Sequence, residues 1–296
     1  MIMNKEFLMA KNMSIKDYNT MRIFSIADHV YFPLTTRGVV QLSTVIEIDK
    51  AIIIGQGSNT IFSKDYYHYP IINTSFLNRI ESNDDMIVAD AGVTLSKLSW
   101  YALENSCTGF EFLEDIPGSV AGALFMNAGT YNDTIGKLVK SVTVFEYDKR
   151  RLVELSVDQL SSSWGKRQSY FQKFPCFIIQ CKFIANNKGR YEDILDKMLT
   201  AKKNRYLKQP REYPSAGSVF KRPYVNGEPR YVWKLFDEAG LRGYRIGDAQ
   251  VSEKHPGFIV NVGNASGQDV INLMKHCKEV VFKQYGIQLE EEWKIV

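Results

Sequence analysis

The segment Gly55-Gln56-Gly57-Ser58-Asn59 combines residue types that could bind an anion. It follows the apolar run from Ala51 to Ile54, which predicts a short buried strand. Glycines let backbone N–H groups approach an anion closely, and the serine and asparagine side chains add donors. Phosphate binding and a plain strand-to-loop turn both fit this segment. A dinucleotide fingerprint does not, because the G-x-G-x-x-G pattern needs glycine where Thr60 stands.

A second candidate segment is largely apolar but dominated by small residues. It runs Ile116-Pro117-Gly118-Ser119-Val120-Ala121-Gly122-Ala123 and is closed by Met126-Asn127-Ala128-Gly129. We expect a loop from Glu114 to Gly122. Small residues let the backbone lie against a flat or charged ligand, and they equally allow close packing between helices. Both interpretations remain open at this level.

Three further segments carry charged groups. An arginine in a polar loop, as in Lys166-Arg167-Gln168-Ser169, is usually solvated. In Ser215-Ala216-Gly217-Ser218-Val219-Phe220-Lys221-Arg222-Pro223, a serine beside glycine precedes two basic residues that could hold a phosphate. A serine nucleophile fits less well, since the G-x-S-x-G elbow is absent. The acidic run Leu289-Glu290-Glu291-Glu292-Trp293 is typical of a solvated chain end.

Hydrophobic periodicity predicts the elements that would position these segments. An amphipathic helix is expected from Thr94 to Asn105, with Thr94 as its N-cap and Leu95, Leu98 and Leu103 directed inward. Strands are predicted at Val30–Phe32, Ala51–Ile54, Met86–Ala89, Val142–Tyr147, Phe177–Phe183 and Gly257–Asn261.

Further helices are predicted over 191–208, near 231–239 and over 267–285. The helix over 191–208 becomes strongly basic and is followed by a break at Gln209-Pro210. We therefore place the main domain boundary near residues 187–210.

Composition and charge are those of an ordinary globular protein. The 296 residues are 45% hydrophobic and 24% charged, which excludes a disordered or fibrous chain. The net charge of +4 fits binding of a phosphorylated ligand but does not by itself indicate a nucleic-acid binder. The basic stretch 202–211 is more typical of a solvated helix face. No run approaches the ~20 apolar residues of a membrane span.

The number and spacing of cysteines and histidines indicate whether disulfides or a metal site are to be expected. The four cysteines form no C-x-x-C pair, which argues against a disulfide framework. The four histidines do not have the sequence spacing that is typical of zinc ligands, so no zinc site is expected. Because residues 1–13 show no signal-peptide pattern, we expect a cytoplasmic protein.

These segments, in this order, resemble those of one family, the UDP-N-acetylenolpyruvoylglucosamine reductases (MurB). The resemblance extends from Asn19-Thr20 to Glu292. The residues from Gly55 to Asn59 resemble the family's flavin-diphosphate loop. The segment 116–129 resembles its second flavin loop, and 216–221 resembles its Ala-Gly-Ser-x-Phe-Lys segment. The resemblance also covers residues 239–243, 251–255 and 289–292. The chain lacks an additional insertion that would cover the substrate, and in this it resembles the shorter, type II branch of the family.

Two positions depart from the family pattern. Lys166 stands where the family usually has tyrosine, so the phenol is missing beside Arg167. Ala121 stands where glycine is usual, which adds a methyl group near the flavin.

The resemblance implies an α+β fold. A two-lobed FAD-binding domain of the vanillyl-alcohol-oxidase (PCMH) type is followed by a C-terminal α/β substrate-binding domain. The expected bounds are residues 1–25 for an N-terminal segment, 26–187 for the FAD-binding domain and 188–296 for the C-terminal domain.

The activity that the resemblance implies is NADPH-dependent, FAD-mediated reduction of UDP-N-acetylglucosamine enolpyruvate to UDP-N-acetylmuramate, in peptidoglycan precursor synthesis. FAD would be bound non-covalently, NADPH would be the co-substrate, and no nucleic-acid partner or metal is expected. Two alternatives stay open: another flavin oxidoreductase of the same class, and a non-catalytic nucleotide-sugar-binding paralogue.

The resemblance also implies residue roles. Arg167 would bind the substrate carboxylate, Glu292 would assist in protonated form, and Ser218 would donate the proton that completes the reduction. Substrate binding is expected from Lys221, Arg222 and Asn127. The expected FAD-binding residues are Gly55, Gln56, Gly57, Ser58, Asn59, Pro117, Gly118, Ser119 and Gly122.

Overall fold

The structure, a computed structural model, describes residues 2–3, 5–83, 85–130 and 133–296. They group into two compact units. The first unit comprises Met1–Lys11, His29–Gln56 and Tyr69–Arg205, and the second comprises Asn12–Asp28, Gly57–His68 and Tyr206–Val296. The domain bounds expected at residues 25/26 and 187/188 stay a prediction.

The strands of the described residues are short. Those up to residue 184 are β1 Ile2–Met3, β2 Phe7–Ser14, β3 Ile26–Pro33, β4 Ile52–Ile54, β5 Thr60–Ile61, β6 Tyr66–Tyr67, β7 Ile71–Asn73, β8 Ile80–Asn83, β9 Met86–Asp90, β10 Val139–Glu146, β11 Arg151–Ser156 and β12 Cys176–Ile184. Those beyond are β13 Ser215–Ser218, β14 Tyr224–Val225, β15 Glu228–Pro229, β16 Arg245–Ile246, β17 Ala249–Val251, β18 Phe258–Asn261 and β19 Lys294–Ile295.

The α-helices include the longest elements of the chain. They are α1 Thr36–Val45, α2 Leu95–Glu104, α3 Val120–Met126, α4 Val157–Ser161, α5 Tyr191–Lys208, α6 Val232–Glu238 and α7 Gly267–Tyr285.

The first unit contains an antiparallel sheet in the order β11-β10-β12-β9-β8. Alternate side chains of a strand point to opposite faces of its sheet. In β12, Ile178 accordingly belongs to one hydrophobic core, while its neighbours Phe177 and Ile179 belong to another. The sheet is therefore buried on both faces, which explains why β12 is almost continuously apolar.

Parallel strands in the first unit position the first candidate loop. The strand β7 pairs with β3 on one side and with β4 on the other, in parallel. Because parallel strands end at the same sheet edge, the residues after β4 and those after β7 lie close together. The side chain of Asn73 donates to the carbonyl oxygen of Gly55 over 3.0 Å.

In the second unit, the sheet order is β13-β18-β17-β16, and α7 contacts β16 and β17. Ser266 caps α7 by accepting from the backbone N–H of Asp269, whose carboxylate accepts from Ser266 N in return. Gly286 ends the helix in the left-handed conformation. A separate parallel pair joins β19 to β5.

Most predicted elements are confirmed. The helix α2 begins after Thr94, whose side chain accepts from Lys97 N over 3.1 Å, and α5 and α7 have the predicted bounds. The expected loop from Glu114 to Gly122 is wrong in its last part, because α3 begins at Val120 with Ser119 as its N-cap. The strand β2 was missed, since its alternation of apolar and polar residues is weak.

Candidate active site

In the first unit, the two predicted flavin loops lie against each other. The side chain of Gln56 accepts a hydrogen bond from the backbone N–H of Gly118 over 2.8 Å. A Cβ atom on Gly55 would lie 2.2 Å from Oγ of Ser119, closer than any real contact. The loop after β4 therefore approaches Ser119 more closely than a side chain permits, which accounts for the glycine.

A cavity of about 160 Å³ opens beside these loops within the first unit. Its walls combine residues of the two loops with residues of the segments 75–78 and 92–97. They are Gly55, Gln56, Ser75, Asn78, Gly92, Val93, Thr94, Lys97 and Ser119. The ammonium group of Lys97 donates to the carbonyl oxygen of Asn78 over 2.9 Å, so a positive charge stands at the wall. No sequence pattern marks Ser75, Asn78, Gly92, Val93 or Lys97 as part of a site, because they reach the cavity only through folding.

The rest of the first loop belongs to the second unit. Gly57 has a φ of 62°, and a Cβ there would lie 2.7 Å from Cα of Asn19. Glycine is required at this position for both reasons. The side chain of Asn59 donates to the carbonyl oxygen of Glu292 over 2.9 Å, and Asn59 O accepts from Lys294 N. Asn59 thus fixes the C-terminal segment.

The C-terminal acidic run lies beside the serine segment in the second unit. The backbone N–H of Glu292 donates to Val219 O over 2.9 Å, and that of Lys221 donates to Glu290 O over 2.8 Å. Ser218 is exposed at the end of β13, one residue before Val219, and Glu292 is half-buried. Two of the three predicted catalytic residues therefore lie in backbone segments that pair with each other, and their roles stay a prediction.

The interpretation of the acidic run as a solvated chain end is wrong. Leu289 and Trp293, which bracket the three glutamates, are buried. The carboxylate of Glu291 accepts from Nζ of Lys278 over 2.6 Å. Burial raises the pKa of the Glu291 carboxyl, but Lys278 and the nearby charge of Lys221 outweigh it, so this pKa lies below its ordinary value.

The two predicted phosphate ligands have partners within the second unit. Lys221 forms an ion pair with Glu290. The guanidinium carbon of Arg222 lies 4.4 Å from the ring centroid of Tyr231, a cation–π contact. Both basic groups are only half-buried, so an anionic ligand can reach them.

Arg167, in the first unit, sits in a tight turn. Gly165 and Gln168 exchange backbone hydrogen bonds of 3.1 and 3.2 Å around it, and Arg167 has a φ of 59°. The side chain of Gln172 donates to Arg167 O over 3.1 Å. Lys166, which replaces the family tyrosine, is exposed. The hydrogen bonds of the turn therefore fix the backbone that carries the half-buried side chain of Arg167.

Asn127 holds that turn. It lies at the C-cap of α3 with a φ of 43° and is 3% exposed. Its amide nitrogen donates to Gly165 O over 2.7 Å, and its amide oxygen accepts from Gly136 N over 3.2 Å. Both polar atoms are thus engaged inside the first unit, and the substrate-binding role expected for Asn127 stays a prediction.

The described residues bear on two other kinds of structure, a membrane span and a metal site. Among them, no helix is long and apolar enough to cross a membrane. No group of three or more His, Cys, Asp and Glu side chains in the described ranges is arranged to hold a metal ion.

Comparisons with known proteins match both parts of the chain. A family model described as "FAD binding domain" matches residues 29–155, and one described as "UDP-N-acetylenolpyruvoylglucosamine reductase, C-terminal domain" matches residues 209–296. A UDP-N-acetylenolpyruvoylglucosamine reductase of Caldanaerobacter subterraneus subsp. tengcongensis is 36% identical over 99% of this chain and 95% of its own. That of Francisella tularensis is 37% identical over 97% of this chain and 100% of its own.

A solved structure agrees with these matches. The crystal structure of UDP-N-acetylenolpyruvylglucosamine reductase (MurB) from Thermus caldophilus superposes with a TM-score of 0.80 and 26% identity, over 98% of each chain. The predicted order of an FAD-binding domain followed by a C-terminal domain of the reductase family is confirmed. This chain belongs to the UDP-N-acetylenolpyruvoylglucosamine reductase (MurB) family.

Proposed function

We propose that the chain reduces UDP-N-acetylglucosamine enolpyruvate to UDP-N-acetylmuramate with NADPH, through bound FAD, as a step of peptidoglycan precursor synthesis. The observation that carries the proposal is the pairing of the Ser218 segment with the C-terminal acidic run, by Glu292 N and Val219 O. This backbone pairing of two segments far apart in the chain supports a shared site for Ser218 and Glu292.

The residues of the first unit suit FAD. The cavity beside Gly55 and Ser119 has mostly apolar walls with a few polar side chains, among them Gln56 and Lys97, as suits a flat ring system that carries polar groups. Neither predicted flavin loop contains a histidine or cysteine, so FAD would be held non-covalently. Held there, FAD would supply hydride transfer from NADPH to the terminal enol-ether carbon of the substrate.

Arg167 would stabilise the charge that hydride addition creates. Negative charge develops on the carbon next to the carboxylate and spreads into that carboxylate. A guanidinium stays charged at all working pH values and can bind a carboxylate through two parallel hydrogen bonds. Its braced turn supports this role, because preorganised charge needs no reorganisation during the reaction.

Ser218 would deliver the proton and Glu292 would assist in protonated form. The hydroxyl of Ser218 is exposed at a strand end, where a substrate carbon can approach it. An ionised Glu292 would repel the developing charge, whereas its acid form can donate a hydrogen bond. We assign Lys221 and Arg222 to the diphosphate, and we propose that Asn127 acts indirectly, by holding the Arg167 turn.

NADPH oxidation tests the proposal. Purified protein should be yellow and should oxidise NADPH rapidly only when UDP-N-acetylglucosamine enolpyruvate is present. NADPH oxidation that the substrate does not change would favour another flavin oxidoreductase. Colourless protein that binds UDP-sugars would favour a non-catalytic paralogue. A cytoplasmic location fits a reaction that uses NADPH and stays a proposal.

A further inference from the structure

Ser218 follows an irregularity in its strand, in the second unit. The pairing of β13 with β18 matches Ser215 to Val260 and then Ser218 to Phe258, so β13 has one extra residue between the two pairs. Gly217, inside this stretch, has a φ of 83°. Such a bulge changes the direction of the side chains that follow it and interrupts the ladder. The direction of the Ser218 side chain therefore depends on the contacts that fix the backbone next to it.

Val219 fixes this backbone from two sides. Its N–H donates to the carbonyl oxygen of Gly257 over 3.1 Å, and its own carbonyl oxygen accepts from the N–H of Glu292 over 2.9 Å. Gly257 directly precedes β18, and Glu292 lies in the C-terminal acidic run. A displacement of Gly257 would thus move Val219, and with it the backbone beside both Ser218 and Glu292.

His255 holds Gly257 in place. The backbone N–H of Gly257 donates to Nδ1 of the His255 ring over 3.2 Å. A Cβ atom on Gly257 would lie 2.9 Å from Cε1 of that ring, so the imidazole lies directly against the glycine. The backbone N–H of His255 donates over 3.1 Å to Oγ of Ser252, which is buried. The ring of Phe258 meets the imidazole edge to face at 4.9 Å.

The hydrogen bond from Gly257 requires a neutral imidazole with its proton on Nε2. Only then does Nδ1 keep the lone pair that accepts a backbone N–H, because both ring nitrogens of a protonated histidine are donors. Burial lowers the pKa of the His255 imidazole below its ordinary value. The acceptor is therefore present at neutral pH.

We propose that His255 is a positioning residue for the proton transfer: its Nδ1 holds Gly257, which through Val219 fixes Ser218 where it can donate to the substrate carbon. The inference rests on the proton-donor role proposed for Ser218. In this role, His255 needs no contact with substrate or flavin, and it affects only the half of the reaction that uses Ser218.

The variants His255→Asn and His255→Leu separate the acceptor atom from the bulk of the side chain. The amide oxygen of asparagine is as many bonds from the backbone as Nδ1 and can accept from the N–H two residues on. Leucine has a methyl group there. His255→Leu should lower kcat with the enolpyruvyl substrate roughly ten- to hundredfold, the scale of a misplaced catalytic group, with a smaller change in KM. His255→Asn should recover most of kcat.

Flavin reduction by NADPH, followed by stopped-flow absorbance, should stay near the wild-type rate in both variants. His276→Leu is the matched control and should leave kcat unchanged. The ring of His276 is half-buried in the same unit, but it stacks on Tyr244 at 4.3 Å and does not contact Gly257 through a hydrogen bond.

A purely structural role predicts something else. If His255 only stabilises the second unit, both His255 variants should lose flavin content and both half-reactions together. That result, or a kcat in His255→Asn no higher than in His255→Leu, overturns the inference. If His255→Leu does not fold, Gly257→Ala replaces it, because the added Cβ forces the ring away from the N–H. An unchanged kcat in Gly257→Ala overturns the inference equally.

Combination with Ser218→Ala shows whether His255 acts through Ser218. In the Ser218→Ala background, His255→Leu should lower kcat little further, because the group that it positions is already gone. Losses that multiply in the double variant would mean that His255 acts independently of Ser218, and they overturn the inference.

Failure of the proposed function has a different signature. If Ser218→Ala retains the wild-type kcat, the proton-donor role of Ser218 fails and the inference falls with it. A kcat that is lost in Ser218→Ala but kept in His255→Leu rejects the inference alone.

Discussion

Ser218 ends β13 in an exposed position, one residue before Val219, which accepts the backbone N–H of Glu292. Arg167 is presented by a turn that Asn127 and Gln172 brace. A backbone hydrogen bond from a distant segment holds the backbone beside Ser218, and side-chain amides that donate to backbone carbonyls hold the Arg167 turn. The residues themselves were predictable from motifs, but these braces were not, because no local pattern records them.

Ser218→Ala should fold and bind FAD normally, since only one exposed hydroxyl is lost. NADPH should still reduce the flavin, whereas turnover with the enolpyruvyl substrate should fall roughly 10²–10⁴-fold, as expected for a lost general acid. Ser218→Cys should retain more activity than the alanine variant, because a thiol can also donate a proton. Steady-state kinetics of the alanine variant test this role. A raised KM with an unchanged kcat would mean that Ser218 contributes only to substrate binding.

Arg167→Ala should separate the two halves of the reaction. Flavin reduction by NADPH should stay near the wild-type rate, whereas reoxidation by substrate should slow strongly. The reason is that the Arg167 guanidinium is assigned to the substrate carboxylate and not to NADPH. Stopped-flow absorbance at the flavin band follows each half separately. Equal losses in both would reject the assignment. Lys166→Ala, at the exposed neighbouring position, is the control and should leave both rates unchanged.

At the element scale, the flavin cradle depends on how closely two loops approach. The parallel pairing of β4 with β7 brings the first loop to its place, and Ser119 begins α3 opposite it. The apolar run of β4 predicted the strand, and the glycines predicted close approach. The start of α3 was missed, because the small residues of 119–123 fit a loop and a helix equally well.

Gly55→Ala should weaken FAD binding roughly ten- to hundredfold, the scale of an overpacked site. The added Cβ would meet Oγ of Ser119 at 2.2 Å, so the loop must shift. The double variant Gly55→Ala/Ser119→Ala should recover part of the affinity, since the clashing atom is gone. FAD titration of apoprotein measures this, with Ser119→Ala alone as the control. If the double variant recovers no affinity, the added methyl group does not weaken FAD binding through its clash with Ser119.

At the scale of the whole molecule, the four cysteines Cys107, Cys176, Cys181 and Cys277 are free, and three of them are buried. Burial raises the pKa of the Cys176 and Cys277 thiols to about 12 each and that of Cys181 well above its ordinary value. Such thiols hold almost no thiolate, the reactive form, at neutral pH.

A thiol reagent should therefore react slowly with the native protein at pH 8 and quickly with all four cysteines in denaturant. The count of reacted thiols over time, followed by absorbance, checks this. Rapid reaction of Cys176 or Cys277 in the native state would contradict the burial described here. The sparse cysteines predicted no disulfide framework, but their burial is a property of the fold and has no sequence signal.

The central claim is that flavin reduced by NADPH passes its electrons to the enolpyruvyl substrate. The most direct test is a single turnover without oxygen. NADPH should bleach the flavin band, and UDP-N-acetylglucosamine enolpyruvate added afterwards should restore it, with a product two hydrogen atoms heavier than the substrate. A flavin that stays reduced after the substrate is added, or a substrate recovered with unchanged mass, would contradict the account.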